Sequence, residues 1–250
     1  MHPLRTPMYT THKLHTLNIV VFGVTENSIA DRYRGCFPGS ATVLAEDGRR
    51  LQMSHLSVGD RILSVDRYGT LQYSDVVTFL HRDVTQRMTF QRMRSADGHD
   101  LTLTPDHLIF AARELGAELD WYTPTFAVEV QLGSYLYAVD ATDSEPRAVR
   151  VVNVSTVVKE GVYAPLTSHG SLVVDGLVAS CYATFNSQST AHMSMLPVRL
   201  AYHSISQFAA INSSERRSVT DGVHWYARVL YQLAHRFLHG HLYVAPQNEI

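Results

Sequence analysis

Lysine is almost missing from this chain: Lys13 and Lys159 are the only two in 250 residues. Positive charge is carried by scattered arginines, net charge is −2, and no basic block occurs. A nucleic-acid surface wants clustered basic residues, so that class of partner is excluded. Cysteine is nearly as scarce. Cys36 and Cys181 are the only two, too few for a disulfide framework. They could pair in an oxidising compartment or remain thiols in a reducing one. Long apolar runs are also lacking. The nearest, Leu17 to Val24, is interrupted by Asn18 and falls far short of the ~18 residues of a spanning helix. It reads as a strand or an unstructured lead-in rather than a signal-peptide core, because no clean small-residue cleavage site follows. The 14 histidines are scattered, without His-Glu-x-x-His or Cys-x-x-Cys spacing, so no metal site is expected.

Hydrophobic residues make up 45% of the chain, enough for a real core. From residue 36 to 186 the pattern is short strands separated by turns. Ala41 to Ala45 is a strand ended by Glu46-Asp47-Gly48. Arg61 to Val65 alternates, and Arg67-Tyr68-Gly69 turns into Leu71 to Leu80. Asp100 to Thr104, Val149 to Val158 and Ser171 to Val174 follow. Regular strands with Gly and Asp punctuation favour a mainly β fold over βαβ units. An internal echo points to two similar halves. Leu56-Ser57-Val58-Gly59-Asp60-Arg61-Ile62-Leu63 is answered by Val130-Gln131-Leu132-Gly133-Ser134-Tyr135-Leu136-Tyr137. After residue 186 the character changes. Trp225, Val229, Leu233 and Phe237 recur every four residues, with Tyr226 and Leu230 beside them, as on a helix with a broad apolar stripe. A weaker helical pattern covers Pro197 to Ile211, and Asn212 to Thr220 reads as a polar linker. Three parts result: a lead-in over 1–35, a β-domain over 36–186, and a helical region over 187–250.

The chemistry concentrates at Gly35-Cys36-Phe37-Pro38-Gly39. A thiol one residue after a glycine carbonyl can attack it, converting a poor acyl donor, the amide, into a thioester. The attack needs a base for the thiol, a polarised carbonyl and a proton for the departing nitrogen. Glycine on the acyl side lets the backbone take the strained approach. Thr104-Pro105-Asp106-His107 supplies two candidates. The Thr104 hydroxyl can hydrogen-bond the scissile amide, and His107 can exchange protons near neutrality.

These stretches, with Ala179-Ser180-Cys181-Tyr182, occur in an order and spacing that resemble the autoprocessing region of hedgehog precursors. Thr25 to Ala30 resembles the last residues of the signalling domain in that family. The resemblance implies a Hint fold, a pseudo-twofold β-domain shared with inteins. It also implies self-cleavage between Gly35 and Cys36, with cholesterol as the acceptor and substrate and no metal or organic cofactor. Cys181 would lie near the active site, as a neighbour or structural residue rather than the nucleophile. The family's aspartate, thought to assist the sterol hydroxyl, stands in a Phe-Leu-Asp-Arg context. Here the context is Phe79-Leu80-His81-Arg82, so His81 takes that place, with Asp83 two residues on. Trp225, Tyr226, Val229, Leu230 and Leu233 would belong to the sterol-recognition region. The family further implies processing in the secretory pathway, a membrane-associated product and a monomeric processing domain. The alternative is an inactive or hydrolysis-only Hint module that binds sterol or membrane without transfer. Protein splicing is disfavoured, because Phe185 rather than histidine precedes Asn186. A conventional cysteine protease is disfavoured by the lack of a Cys-Gly-Ser-Cys-Trp context.

Overall fold

The computed structural model describes residues 35–115, 120, 124–140, 145–183, 187–209 and 222–230. Residues 1–34 of the lead-in, Asn186, the linker and Leu233 lie outside them. Thirteen strands join in one hydrogen-bonded network. They are β1 (Thr42–Leu44), β2 (Arg50–Gln52), β3 (Arg61–Val65), β4 (Leu71–Ser95), β5 (Asp100–Leu103), β6 (His107–Ile109), β7 (Ala111–Ala112), β8 (Thr125–Phe126), β9 (Tyr135–Ala138), β10 (Arg147–Thr167), β11 (Ser171–Val174), β12 (Leu177–Ala183) and β13 (Gly222–Val223). Two helices follow the β-domain, α1 (Gln188–Ser194) and α2 (Leu196–Ala209). Residues 225–230 are also helical.

The two longest strands organise everything else. β4 and β10 run antiparallel from Val151↔Ser95 to Thr167↔Val76, with four register shifts on the way. Strands of 25 and 21 residues far exceed the usual five or six. Sheets twist, and bulges let such a pair bend around a core instead of extending beyond it. At one end β3 pairs with the start of β4; at the other β9 pairs with the start of β10. The sequence echo is the local version of this symmetry. In the first half Ser57 N donates to Asp60 Oδ2, Asp60 N to Ser57 O, Gly59 N to Val76 O, and Val76 N to Asp60 O. In the second, Gln131 N donates to Ser134 Oγ, Ser134 N to Gln131 O, Gly133 N to Val151 O, and Val151 N to Ser134 O. Each turn puts its glycine at positive φ, +93° and +90°, where a side chain is disfavoured. Two turns with the same bonds each launch a strand into a long partner, giving a pseudo-twofold β-domain.

β3 and β5 fall on the alternating stretches read from sequence, and β11 on the strand expected over Ser171 to Val174. β4 and β10 run well beyond their expected stretches, because bulged stretches break the period-2 signal. β12 and α1 carried no clear sequence pattern. β12 is buried along almost its whole length, so it shows no alternation. The core joins Phe37, Phe90, Met93, Leu101, Leu103, Leu108 and Tyr163 across the sheet faces. Cys36 lies inside this cluster, fully buried.

Gly161 sits at one β10 register shift with φ +79°. A Cβ there would lie 2.8 Å from Tyr163 Cε2 and 3.3 Å from Gly39 N. Gly69 has φ +85° with open space around it. Left-handed backbone alone costs about 1–2 kcal/mol in a non-glycine residue. Gly69→Ala should therefore cost about 1 kcal/mol in urea denaturation. Gly161→Ala should cost about 2–3 kcal/mol, the clash adding to the strain. Equal losses would show that the packing at Gly161 carries no weight.

Candidate active site

Residues 35–39 enter the β-domain as an extra length of chain laid against β10. Phe37 N donates to Tyr163 O at 2.8 Å, and Tyr163 N donates back to Phe37 O at 2.9 Å. Gly39 N donates to Glu160 O. One residue upstream, the turn before β6 grips Cys36 on both sides. Its amide N–H, the nitrogen of the Gly35–Cys36 bond, donates to Thr104 Oγ1 at 2.9 Å. Its carbonyl accepts from Thr104 N at 3.0 Å. Thr104 is fully buried, so its hydroxyl has no water to turn to. Gly35 is held by lack of space: a Cβ there would sit 2.0 Å from Ala183 Cβ. The glycine is required by packing against β12.

Cys36 Sγ lies 3.5 Å from His81 Nδ1. Burial pushes the Cys36 thiol well above the ordinary range. A thiol so placed stays protonated until a base takes its proton. His81, also buried, is the imidazole within reach of it. The resemblance had assigned His81 to the later, acceptor-activating step; the β4–β10 register sets it against the thiol itself. Asp83 does not share this work directly. Its Oδ1 accepts from Thr85 N, Thr85 Oγ1 and Gln86 N at 2.9, 3.0 and 2.9 Å. Burial opposes its ionisation, but those bonds, helped by His81, hold its carboxyl below the usual range.

His107 begins β6 and is wholly buried. Its Nε2 is 2.8 Å from Ser180 O. A carbonyl can only accept, so Nε2 carries the proton and Nδ1 is the basic nitrogen of the neutral ring. Nδ1 is buried and makes no full hydrogen bond. Burial pushes the His107 pKa down to about 4, while the carbonyls of Ser180 and Gly35 pull it upward. The ring also packs on Phe37, centroids 4.4 Å apart, which fixes its plane beside the junction.

Sequence reasoning quoted Ser180 only as part of a block, without a role, and did not single out Ala183 or Gln188. Ser180 Oγ donates to Gln188 Oε1 at 2.6 Å and accepts from Tyr182 N at 2.8 Å. Gln188 Nε2 donates to Gly170 O at 2.8 Å. Gln188 of α1 thus pins the strand whose carbonyl orients His107. A lone buried glutamine leaves no signal in a single sequence. Cys181 stands on the same strand, and no disulfide joins it to Cys36. Its Sγ is 3.5 Å from both Thr167 N and Thr167 Oγ1, and burial pushes its pKa up to about 11.

The C-terminal segment reaches the same place. β13 pairs with β4 through Gly222↔Arg82 and Val223↔His81. His224 N donates to Leu80 O at 2.9 Å. The apolar stripe over 225–230 is split. Ala227 is buried, and Tyr226 and Leu230 pack against the core, whereas Trp225 is 69% exposed and Val229 42%. Among the described residues no group of His, Cys, Asp and Glu is arranged to hold a metal.

Comparison with known proteins sets these features in a family. The Hint module family model matches residues 24–239. Sonic hedgehog protein of Danio rerio is 38% identical over 212 residues, 83% of this chain and 50% of that protein. Indian hedgehog protein of Xenopus laevis is 37% identical over 217 residues, 86% of this chain and 51% of its own length. Protein hedgehog of Drosophila melanogaster is 35% identical over 233 residues, covering 90% and 47%. The chain thus spans about half the length of the curated relatives it matches. Among solved structures, a DnaB intein from Synechocystis is similar at TM-score 0.48 and 12% identity, over 58% of this chain and 97% of the intein. With a family match running through the junction, both symmetric halves and the segment beyond, this chain belongs to the Hint-module family.

Proposed function

We propose that the chain cleaves itself between Gly35 and Cys36 through an internal thioester, and that a sterol hydroxyl then takes the acyl group. One observation carries this reading. Thr104, His81 and Ala183, from three separate elements, converge on the groups flanking a single peptide bond, and His107 packs on the residue that follows it. A histidine or threonine buried only for packing would have no reason to meet at a backbone amide.

The first step follows from the positions. Cys36 Sγ gives its proton to His81 Nδ1 and bonds to the Gly35 carbonyl carbon. The developing oxyanion strengthens the pull that the Gly35 carbonyl already exerts on His107, raising its affinity for a proton. His107 Nδ1 can then take up that proton and pass it to the Cys36 nitrogen as the C–N bond breaks. The net change moves one proton from sulfur to nitrogen and exchanges a C–N bond for a C–S bond. Thr104 Oγ1, already accepting from that nitrogen, keeps the departing amine in place. In the second step the acceptor hydroxyl attacks the thioester, C–S breaks, and the hydroxyl proton returns to Cys36 sulfur by way of His81. His81 would serve as base in both steps. On the hedgehog resemblance, this reading takes cholesterol as acceptor, with processing in the secretory pathway, a role in cell–cell signalling and a membrane-associated product. No further cofactor is required.

Three results test this reading on a carrier fused ahead of residue 25. Because His81 faces the thiol, His81→Ala should slow release by dithiothreitol as well as by cholesterol, each by about 10²–10⁴-fold, the range for a lost acid–base group. Loss of the cholesterol reaction alone would confine His81 to the second step. Gly35→Ala should abolish release, and Gly35→Ala combined with Ala183→Gly should restore part of it, since the second change removes the atom in the way. Failure of the pair to recover any release would place the need for glycine elsewhere. The third result concerns pH. His107 holds its proton less tightly when folded (about 4) than its ordinary 6.5. The unfolded chain therefore binds more protons between those values, and stability falls as pH drops through that window. In a Cys36→Ala chain the loss from this group should approach about 3 kcal/mol by pH 4. His107→Gln should flatten that part of the urea-denaturation profile.

A further inference from the structure

A narrow crevice reaches Gly35 between β4, β12 and α1. Its walls come from two units. Leu80 of β4 and Cys181 of β12 stand on one side; Ala191 and Ser194 of α1, with Met195 just beyond, stand on the other. Its volume is about 20 Å³, room for about one water. The lining is largely apolar, so it suits a hydrocarbon ligand better than a charged one. Residues 224–226 fasten both walls. His224 N donates to Leu80 O at 2.9 Å, and Tyr226 Oη donates to Ser194 O at 3.2 Å. The segment therefore bridges β4 and α1 across the crevice.

We propose that this crevice is the port through which the acceptor reaches the Gly35 carbonyl, and that residues 224–226 are a strap holding it at the width of a water molecule until a bulky apolar alcohol opens it. The inference rests on the acyl-shift reading above and deepens it by locating the acceptor's route. A thioester formed behind a closed port is shielded from large nucleophiles. When the strap yields, the alcohol oxygen bonds to the Gly35 carbonyl carbon, the C–S bond breaks, and the alcohol proton ends on Cys36 sulfur. Apolar walls then favour a rigid hydrocarbon alcohol over polar competitors of the same size. The split stripe of the 225–230 helix fits this role: Tyr226 and Ala227 hold the strap down, and exposed Trp225 and Val229 offer apolar surface beside it.

The test compares nucleophiles of different size on the carrier fusion: hydroxylamine, dithiothreitol, and cholesterol dispersed in detergent. Tyr226→Phe removes only the hydroxyl that holds Ser194 O. One neutral hydrogen bond shifts an opening equilibrium by roughly two- to tenfold. The ratio of dithiothreitol to hydroxylamine release should rise by that factor. Ala191→Leu fills the crevice, and it should lower the cholesterol-to-hydroxylamine ratio by at least tenfold; hydroxylamine release and a thermal melt show whether that variant is folded. If either variant proves unstable, the other still decides. Ratios unchanged in both variants, with hydroxylamine release intact, would overturn the port and leave the acyl shift standing. Absence of release from the parent chain by all three nucleophiles would overturn the acyl-shift reading, and the port with it.

Discussion

The antiparallel pairing of β4 with β10 is the constraint on which the site depends. It aligns His81 with Ala164 and turns the backbone N–H and C=O of Tyr163 toward Phe37, with which they exchange two bonds. From that exchange follows the position of Cys36, one residue upstream and within reach of His81. Thr104 and Ala183 then close on the amide, one from the turn before β6 and the other from β12. A slip of one residue in the long pair would turn His81 to the other face and separate the thiol from its base. The register shifts in β10 are part of the same geometry. The one at Gly161 lets the strand bend where Gly39 and Tyr163 crowd against it.

Burial controls the reactivity of the groups so assembled. Thiol and imidazole are both held in their neutral forms, Cys36 by a raised pKa and His107 by a lowered one. Neither therefore carries charge at rest. In the proposed shift, charge would appear only as the carbonyl becomes an oxyanion, and in a buried site that charge would act strongly on its neighbours. The resting site is thus poised rather than activated, with the proton inventory set by Ser180 O on one side of His107 and the Gly35 carbonyl on the other.

Much of this arrangement could be read in the chain itself, for identifiable reasons. The turn pair at Ser57–Asp60 and Gln131–Ser134 is local, so its repeated bonds left a visible echo. Cys36, Thr104 and His107 stood out because nucleophile, hydroxyl and imidazole are chemically distinctive. The partner of His81 was not legible, since it depends on register between strands some eighty residues apart. Ala183 and Gln188 act through shape and a buried amide, neither of which marks a sequence. The stripe beginning at Trp225 was visible as a period, but which of its sides meets the core is decided by β13 and by Ser194. The sequence period therefore grouped Tyr226 with Trp225, though the fold sends them in different directions.

The central claim is that the chemistry occurs at one bond, Gly35–Cys36, by way of sulfur. Intact-mass analysis of the carrier fragment released on incubation with cholesterol tests it most directly. The account predicts a fragment ending at Gly35 and heavier by one esterified sterol, absent when Cys36 is replaced by alanine. A fragment ending at another residue, or the same fragment released from the Cys36→Ala chain, would contradict it.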